Sequence, residues 1–573
     1  MKYPLEIYEK QIISVLKKIF SDHNITIKLE IPPENMGDFA FPCFSLAPLL
    51  KKSPIDIAND IAKSIQKNEY ITKIEPKAGY VNFYINKTNL ISETLRLILS
   101  MNKKYGTLQK KNIKIIIEHT STNPNGPMHV GRARNPIIGD TLVRIFKASG
   151  YKVESQFYLD DMGKQVAILT WGVNHIDPNT LPKTENSKPD HFYVAFYQEA
   201  NKRMQTNKQV EQEIRDIIKK LEHGDIKTIK TVHNAYKPVL EGINSSLHEI
   251  NIYIDRYIAE STFIRDNSVN TIISKLKKSD YCFEEDGAYY LDLKSFGVQG
   301  RNTKFFLIRR DGTTLYATRD IAYHQWKAEQ ADLLLNILGE DHKLESKQVE
   351  IALKILGTAV IPEVLFYAFV SLPEGKMSTR RGRVVYLDDL IEECIERAYI
   401  EVKKRRGDDL SEKQMRSIAK IVGIGSLRYN IIKVQPEKDM IFKWEEALNF
   451  EGNAAPFIQY AHARSCSILS KVKETKKEFD PCLLVHNTEI SLIKQLARYP
   501  LILKESHQSY KPHIMANYVY ETASLFNQFY RDCPVIPEKN DMVRKTRITL
   551  VDATRIVLQN ALDLLGIQAP EEM

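Results

Sequence analysis

The chain has 573 residues, which is too long for one ordinary hydrophobic core and suggests about three to five domains. Hydrophobic residues make up 43% and charged residues 27%, a balance typical of soluble globular proteins. No stretch approaches the roughly 18 apolar residues of a membrane helix. The first residues match neither a secretory nor a transit peptide, so we expect a cytoplasmic protein. The net charge of +9 favours a polyanionic partner without requiring one.

The six cysteines lie far apart and form no CxxC pair: Cys43, Cys282, Cys394, Cys466, Cys482 and Cys533. Because the chain shows no export signal, we expect reduced thiols. Neither a disulfide scaffold nor a cysteine zinc site is predicted.

The first domain, residues 1–110, is predicted to be a small α+β unit. Residues 5–20 and 54–66 have helical spacing, and residues 80–86 alternate like a strand.

A β-α-β unit follows. The apolar run 113–118 is typical of a strand covered on both faces. A loop at 123–127 leads into a helix that ends near Gly150, and residues 153–159 form the next strand. Ligands of such sheets bind at the carboxyl end of the first strand, where a helix N-terminus favours phosphate.

Residues 165–280 are polar and Lys-rich, and their pattern predicts a helical insertion between sheet halves. Strand patterns return at 288–293, 304–308 and 333–338, so the second domain spans residues 111–387. The third domain, residues 388–573, is almost entirely helical in pattern. Its last helix carries an apolar stripe before Gly566: Val551, Leu558, Leu562 and Leu565.

Two segments carry candidate chemistry. In the first, His129 and Gly131 stand where a helix begins after the buried strand, which suits hydrogen bonding to ATP; taken alone, such a histidine is usually just a helix cap. In the second, residues 374–382, Lys376 and Arg380 could stabilise charge on a leaving pyrophosphate. Alone, that segment is more simply a solvated basic turn.

Together and in this order, the two segments resemble the signatures of class I aminoacyl-tRNA synthetases. The resemblance sharpens to arginyl-tRNA synthetases through segments that extend over nearly the whole chain: 37–39, 79–83, 118–131, 284–288, 311–323, 457–464, 552–555 and 564–573.

The resemblance implies a Rossmann-type α/β catalytic domain with the helical insertion, an N-terminal domain that contacts the tRNA elbow, and an all-α anticodon-binding domain. It also implies arginine activation by ATP with Mg²⁺, followed by transfer to tRNA(Arg). No organic cofactor and no bound zinc or other protein-held metal are expected, and we expect a monomer.

A guanidinium group favours carboxylates in fork geometry, and Glu118 and Asp320 could supply two. Tyr316 stands one helical turn before Asp320 on the same face. The alternatives are a surface pair between Asp320 and Arg319 and a packed core role for Tyr316. By the resemblance, three further residues complete the arginine site: Ser121, Asn123 and Asp341.

The resemblance assigns ATP binding and catalysis to both signatures: His129, Gly131, Arg132, Lys376, Met377, Ser378 and Arg380. Four features depart from the family pattern: Asp341 stands where the pocket often has a glutamine, the closing DALR-like motif reads Asp552-Ala553-Thr554-Arg555, and two signature positions differ. Arg132 replaces the usual second histidine, and Arg380 stands in for the usual second lysine of the second signature.

The resemblance places the tRNA contacts at both ends of the chain: Tyr80, Asn82, Tyr460, Arg464 and Met573. Helix packing is the alternative for Tyr460. Two other functions stay open. A cysteinyl-tRNA synthetase would need a zinc-bound thiol pocket, for which no ligand cluster is visible, and a catalytically inactive relative could use both ends only to clamp tRNA.

Overall fold

The computed structural model describes residues 3–21, 25–33, 36–184, 186–299, 303–310, 313–371, 385–407, 409–472 and 478–573. Within these ranges, no helix combines the length and the apolar character that crossing a membrane requires.

The N-terminal unit packs helices against a three-stranded antiparallel sheet with strand order β1-β3-β2. Both predicted helices and the predicted strand are confirmed. Its own hydrophobic core includes Tyr8, Ile12 and Phe83. The elements are α1 (Pro4–Ile19), β1 (Phe39–Pro42), α2 (Ala47–Leu50), α3 (Pro54–Ser64), β2 (Ile71–Lys77), β3 (Tyr80–Ile85) and α4 (Lys87–Met101).

The predicted β-α-β unit is confirmed as β4 (Lys114–Glu118), α5 (Arg134–Ala148) and β5 (Lys152–Leu159). Residues 115–118 of β4 are all buried, as expected for a strand covered on both faces. Gly150 follows α5 with φ +89°, a conformation that glycine adopts without strain.

The segment predicted as a helical insertion contains six helices but also one strand. The elements are α6 (Lys164–His175), α7 (Pro189–Thr206), α8 (Lys208–Glu222), α9 (Ile226–Glu249), β6 (Arg256–Ala259), α10 (Ser261–Arg265) and α11 (Ser268–Lys277). Strand β6 pairs in parallel with β5 and so belongs to the main sheet. The uninterrupted helical prediction for 165–280 is therefore wrong at residues 256–259, where four residues are too few to show a pattern.

The next part of the chain completes the main sheet and adds a small antiparallel one. Its elements are β7 (Cys282–Glu285), β8 (Ala288–Asp292), β9 (Lys304–Ile308), α12 (Tyr316–Ala328), β10 (Leu333–Gly339), α13 (Lys343–Ile355), β11 (Glu363–Tyr367) and β12 (Val370–Ser371). Strands β7, β8 and β9 form the antiparallel sheet. The main sheet has the order β11-β10-β4-β5-β6 with every neighbouring pair parallel, which confirms the predicted Rossmann-type α/β catalytic domain.

The described residues after β12 are mainly helical and include one short strand, as predicted. The elements are α14 (Leu387–Arg406), α15 (Glu412–Ile432), β13 (Met440–Ile441), α16 (Trp444–Ala447), α17 (Ala455–Ser470), α18 (Asn487–Ser509), α19 (Pro512–Asp532) and α20 (Asp541–Leu564). The predicted stripe on the last helix is completely buried.

A buried arginine joins these regions. The guanidinium of Arg428 in α15 donates to the Leu565 carbonyl at 2.8 Å, to the Ile250 carbonyl at 2.7 Å and to the Asp140 carboxylate at 2.6 Å. Leu565 directly follows α20, Ile250 directly follows α9, and Asp140 lies in α5. The helix that follows the first signature is thereby fixed to the insertion and to the C-terminal helices.

Candidate active site

The candidate site lies at the carboxyl end of β4. Glu118 is the last residue of this strand and is opposite Asn336 on one side and Gln156 on the other. Neighbouring parallel strands therefore bring three polar side chains to one edge of the sheet. Because Glu118 is buried, its charge requires a partner.

Lys327 of α12 supplies that partner. Its ammonium lies 2.6 Å from Glu118 Oε2 and donates to Asn336 Oδ1 at 2.9 Å. The Lys327 side chain is 0% exposed and also lies over the Tyr323 ring, at 4.2 Å from its centroid. One of the two predicted arginine-binding carboxylates is thus already neutralised within the protein.

Asp320 is linked to the same network through His324. The Asn336 side-chain amide contacts His324 Nε2 at 2.6 Å while its oxygen accepts from Lys327, so the amide nitrogen donates and Nε2 accepts. The imidazole proton is therefore on Nδ1, which lies 3.0 Å from Asp320 Oδ1. Glu118 Oε2 is 3.9 Å from His324 Nε2, so both carboxylates flank one imidazole.

Asp320 keeps its negative charge in this setting. Burial raises the pKa of its carboxyl, but the neighbouring His324 and Lys327 lower it by more, so the pKa lies below its ordinary value. The alternative pairing with Arg319 is wrong, because Arg319 forms an ion pair with the buried Glu260 instead. Asp320 is therefore available to a cationic ligand.

Tyr316 begins α12 and is 38% exposed, which contradicts the alternative of a packed core residue. Ser121 donates to Glu118 Oε1 over a long 3.4 Å, and Asn123 is half-buried in the loop that follows β4. Asp341 is exposed in a short turn of helix directly after β10. All of these positions follow carboxyl ends of main-sheet strands or begin α12.

His129 caps the short helical turn Val130–Arg132. Its Nδ1 accepts a hydrogen bond from the Gly131 amide at 3.4 Å, so the neutral ring carries its proton on Nε2. Burial, and then the charge of Arg132, lower the pKa of His129. The ring is consequently neutral at pH 7 and can donate from Nε2. The capping role considered for this histidine is present, and it leaves that donor unused by the cap.

A second histidine lies behind the site. His119 is completely buried, with Nδ1 2.7 Å from Thr120 Oγ1, and burial lowers its pKa to about 4. It packs against Gly139 of α5, where a Cβ atom would overlap Cβ and Cγ of the histidine. The absence of a side chain at residue 139 thus lets α5 approach β4 closely.

The second signature, with Lys376, Met377, Ser378 and Arg380, lies outside the described residues.

The candidate tRNA contacts differ in exposure. In the N-terminal unit, Tyr80 is half-buried and packs edge-to-face against Phe44, whereas Asn82 is only 4% exposed. In α17, Tyr460 is 42% exposed, and the Arg464 guanidinium lies over its ring at 4.6 Å.

At the end of the chain, the Met573 carbonyl accepts a hydrogen bond from Arg406, and its side chain packs against a small hydrophobic cluster.

Sequence reasoning missed Lys327, His324 and Asn336. The first two lie on the same face of α12 as Asp320, at spacings that helical geometry makes visible. Asn336 interrupts an otherwise apolar strand, which is a direct sign of a buried polar contact.

Comparison with known proteins identifies the family. Residues 94–444 match the catalytic domain described as "tRNA synthetases class I (R)", residues 458–573 match the DALR anticodon binding domain, and residues 6–85 match the arginyl tRNA synthetase N terminal domain. The chain belongs to the arginyl-tRNA synthetase family. The predicted resemblance and fold are therefore confirmed.

Several members of this family are similar to the chain from end to end. An arginine–tRNA ligase of Methanocella arvoryzae is 47% identical over 530 residues, which cover 92% of each chain. One from Methanosphaera stadtmanae is 42% identical over 576 residues and covers 100% of each. Among solved structures, the Thermus thermophilus arginyl-tRNA synthetase has a TM-score of 0.85 at 26% identity, with 99% of each chain covered.

Proposed function

We propose that this protein is an arginine–tRNA ligase: it activates L-arginine with ATP and transfers the arginyl group to the terminal ribose of tRNA(Arg), releasing AMP and pyrophosphate. The observation that carries the proposal is the family match across all three regions of the chain. The acidic network at the end of β4 supports the arginine specificity.

In this proposal the guanidinium of arginine pairs with Asp320. Glu118 is neutralised by Lys327, so Asp320 is the carboxylate that brings net negative charge to the pocket. The half-exposed Tyr316 ring lies on the same helix, one turn before it. A charge-assisted bond to Asp320 is shorter and stronger than a neutral one, which favours arginine over uncharged analogues.

The remaining contacts fix the other end of the amino acid. Ser121 and Asn123, in the loop after β4, would hold the ammonium and carboxylate groups, and the exposed Asp341 would close the pocket from the β10 side.

ATP would lie over the first signature. The Nε2 proton of His129 is available to a phosphate oxygen, and buried Gly131 lets the nucleotide approach the backbone. Arg132 adds a fixed positive charge. Lys376, Met377, Ser378 and Arg380 would contact the phosphates from the second signature, by analogy with the family pattern.

Magnesium would arrive with the ATP phosphates. Glu118 and Asp320 fit this role poorly as protein ligands, because Glu118 is paired with Lys327 and Asp320 is assigned to the arginine guanidinium. Bound with ATP, Mg²⁺ supplies charge neutralisation on the phosphate oxygens.

The chemistry requires two displacements. An arginine carboxylate oxygen attacks the α-phosphorus of ATP, the bond to the bridging oxygen breaks, and pyrophosphate leaves. The terminal 2′-hydroxyl of tRNA then attacks the carbonyl carbon of arginyl-adenylate, and AMP leaves. In the first step, the role of His129 is to stabilise charge that develops on the phosphate oxygens, which is the usual contribution of a preorganised donor.

The tRNA would contact both ends of the chain. Tyr80 and Asn82 would lie at its elbow. Because the Asn82 side chain is buried, the residues next to it would make most of that contact. Near the anticodon, the exposed Tyr460 ring with Arg464 over its face would offer a stacking surface. Met573 would lie beside them. We place the protein in the cytoplasm and expect a monomer, which light scattering would test.

Arginine-dependent exchange of pyrophosphate into ATP tests the proposal. We expect exchange only when tRNA is added, as the family resemblance implies, and aminoacylation of total tRNA by arginine alone among twenty labelled amino acids. Equal charging by cysteine would overturn the specificity. A chain that binds tRNA but supports no exchange with any amino acid would instead be the inactive relative.

A further inference from the structure

A buried polar cluster joins the insertion to the start of α14. Nε2 of His191 in α7 lies 2.7 Å from Asp388 Oδ2, and the Lys188 ammonium lies 2.7 Å from Asp388 Oδ1. Lys188 also bonds Ser246 of α9. One carboxylate of α14 therefore holds two helices of the insertion.

The residues just before Asp388 pair with the first signature. The Val130 amide donates to the Val385 carbonyl at 3.1 Å, and the Leu387 amide donates to the Met128 carbonyl at 2.8 Å. His129 is thereby enclosed in a short antiparallel bridge opposite Tyr386.

The insertion contacts both sides of this bridge. The His191 ring packs edge-on against the Tyr386 ring, with centroids 5.2 Å apart. Three residues further along α7, Val194 covers Gly126 so closely that a Cβ at Gly126 would lie 2.6 Å from its methyl group. The beginning of α7 therefore packs both against the loop before His129 and against residues 385–387, which pair with the first signature.

The charges stabilise the contacts of Asp388 with His191 and Lys188. Burial raises the pKa of Asp388, but the hydrogen bonds from His191 and Lys188 lower it by more, so the group is ionised and accepts from both. Asp190, His191 and Asp388 place possible metal-ligand atoms within 4.8 Å of one another. Both Asp388 oxygens already have donors, however, and Lys188 supplies the positive charge that a metal ion would bring.

We propose that His191 and Asp388 are positioning residues for ATP binding. They clamp residues 385–388 against residues 128–130 and so hold His129 in the orientation in which its Nε2 meets a phosphate. This inference rests on the proposed function, because it takes the first signature as the ATP site. It makes the insertion a support for the nucleotide site.

The test compares four variants of the full chain in tRNA-supported pyrophosphate exchange. We expect His191→Leu and Asp388→Asn to raise the KM for ATP about 10-fold, because a displaced His129 no longer donates to the bound phosphate and a hydrogen bond to a charged group contributes about that factor to binding. The KM for arginine should change less than about 2-fold, a split that a loss of folded protein would not produce. His191→Gln keeps a donor in nearly the same place and should stay close to the wild type.

His248→Leu is the matched control, because this exposed histidine of the same insertion stacks on Tyr253, away from the cluster at Asp388. Three results would overturn the proposed positioning role. They are unchanged KM values in His191→Leu and Asp388→Asn, equal rises in KM for both substrates, and a His191→Gln variant as impaired as His191→Leu. If the wild-type chain itself gave no arginine-dependent exchange, the proposed function would fail, which is a distinguishable result.

Discussion

Replacing Lys327 with methionine removes the cation from the network behind the candidate arginine site. The Glu118 side chain, only 6% exposed, would then face an apolar thioether instead of an ammonium at 2.6 Å. Breaking a buried pair by removing one partner costs about 3–5 kcal/mol in stability. The Asn336 oxygen would lose a donor as well. We therefore expect Lys327→Met to lower the free energy of unfolding by about 3–5 kcal/mol at pH 7.

Urea unfolding at pH 7 measures this loss of stability. The signal is the fluorescence of Trp326, which precedes Lys327 in α12. Trp171 and Trp444 are changed to phenylalanine in all proteins compared, so that the fluorescence comes from Trp326. Lys347→Met is the matched control, because this exposed lysine pairs with Glu350 at the surface and its loss should cost less than about 1 kcal/mol.

The double variant Lys327→Met with Glu118→Gln should recover much of the lost stability, since no buried charge remains. A loss at pH 7 no larger than that of the control would refute the buried pair.

Three further predictions concern the site. Asp320→Asn should raise the KM for arginine about 10- to 100-fold by removing a charge-assisted bond, with little change for ATP; equal rises would remove Asp320 from guanidinium binding. His129→Ala should slow adenylate formation about 10²-fold in single-turnover assays, and an unchanged rate would leave only the cap. Burial lowers the pKa of His119 from 6.5 to about 4, so its stabilising contribution is complete above about pH 6.5 and is lost as the pH falls toward 4. Between pH 7 and pH 5 the free energy of unfolding should fall by about 2 kcal/mol because of this group. In His119→Gln, urea unfolding should show a smaller fall over the same pH range, and an equal fall in both proteins would contradict the prediction.

The sequence was informative where the determinants are local. The buried run of β4, the end of α5 before Gly150 and the apolar stripe of α20 all have the expected form. Strand pairing is not local. Residues 288–293 and 304–308 were recognised as strands, yet their pattern does not reveal that β8 and β9 pair in a separate antiparallel sheet.

The candidate site was predictable in part for the same reason. Parallel strands bring Glu118 to the sheet edge, and helical spacing aligns Tyr316 with Asp320. The pairing of Glu118 with Lys327 joins residues that are far apart in sequence. A lysine is seldom buried, so its default interpretation is a surface residue.

The close approach of Gly139 to His119 limits the order in which substitutions can accumulate over evolution. A Cβ atom at residue 139 would lie 2.4 Å from Cβ of the histidine, which no rotamer can move, and a close-packed interior has no spare room. Only glycine at residue 119 removes that overlapping atom, so this change must arise first, and that intermediate carries an unfilled space beside β4. The two positions should change as a pair, so this stretch of helix is expected to diverge more slowly than the surface around it.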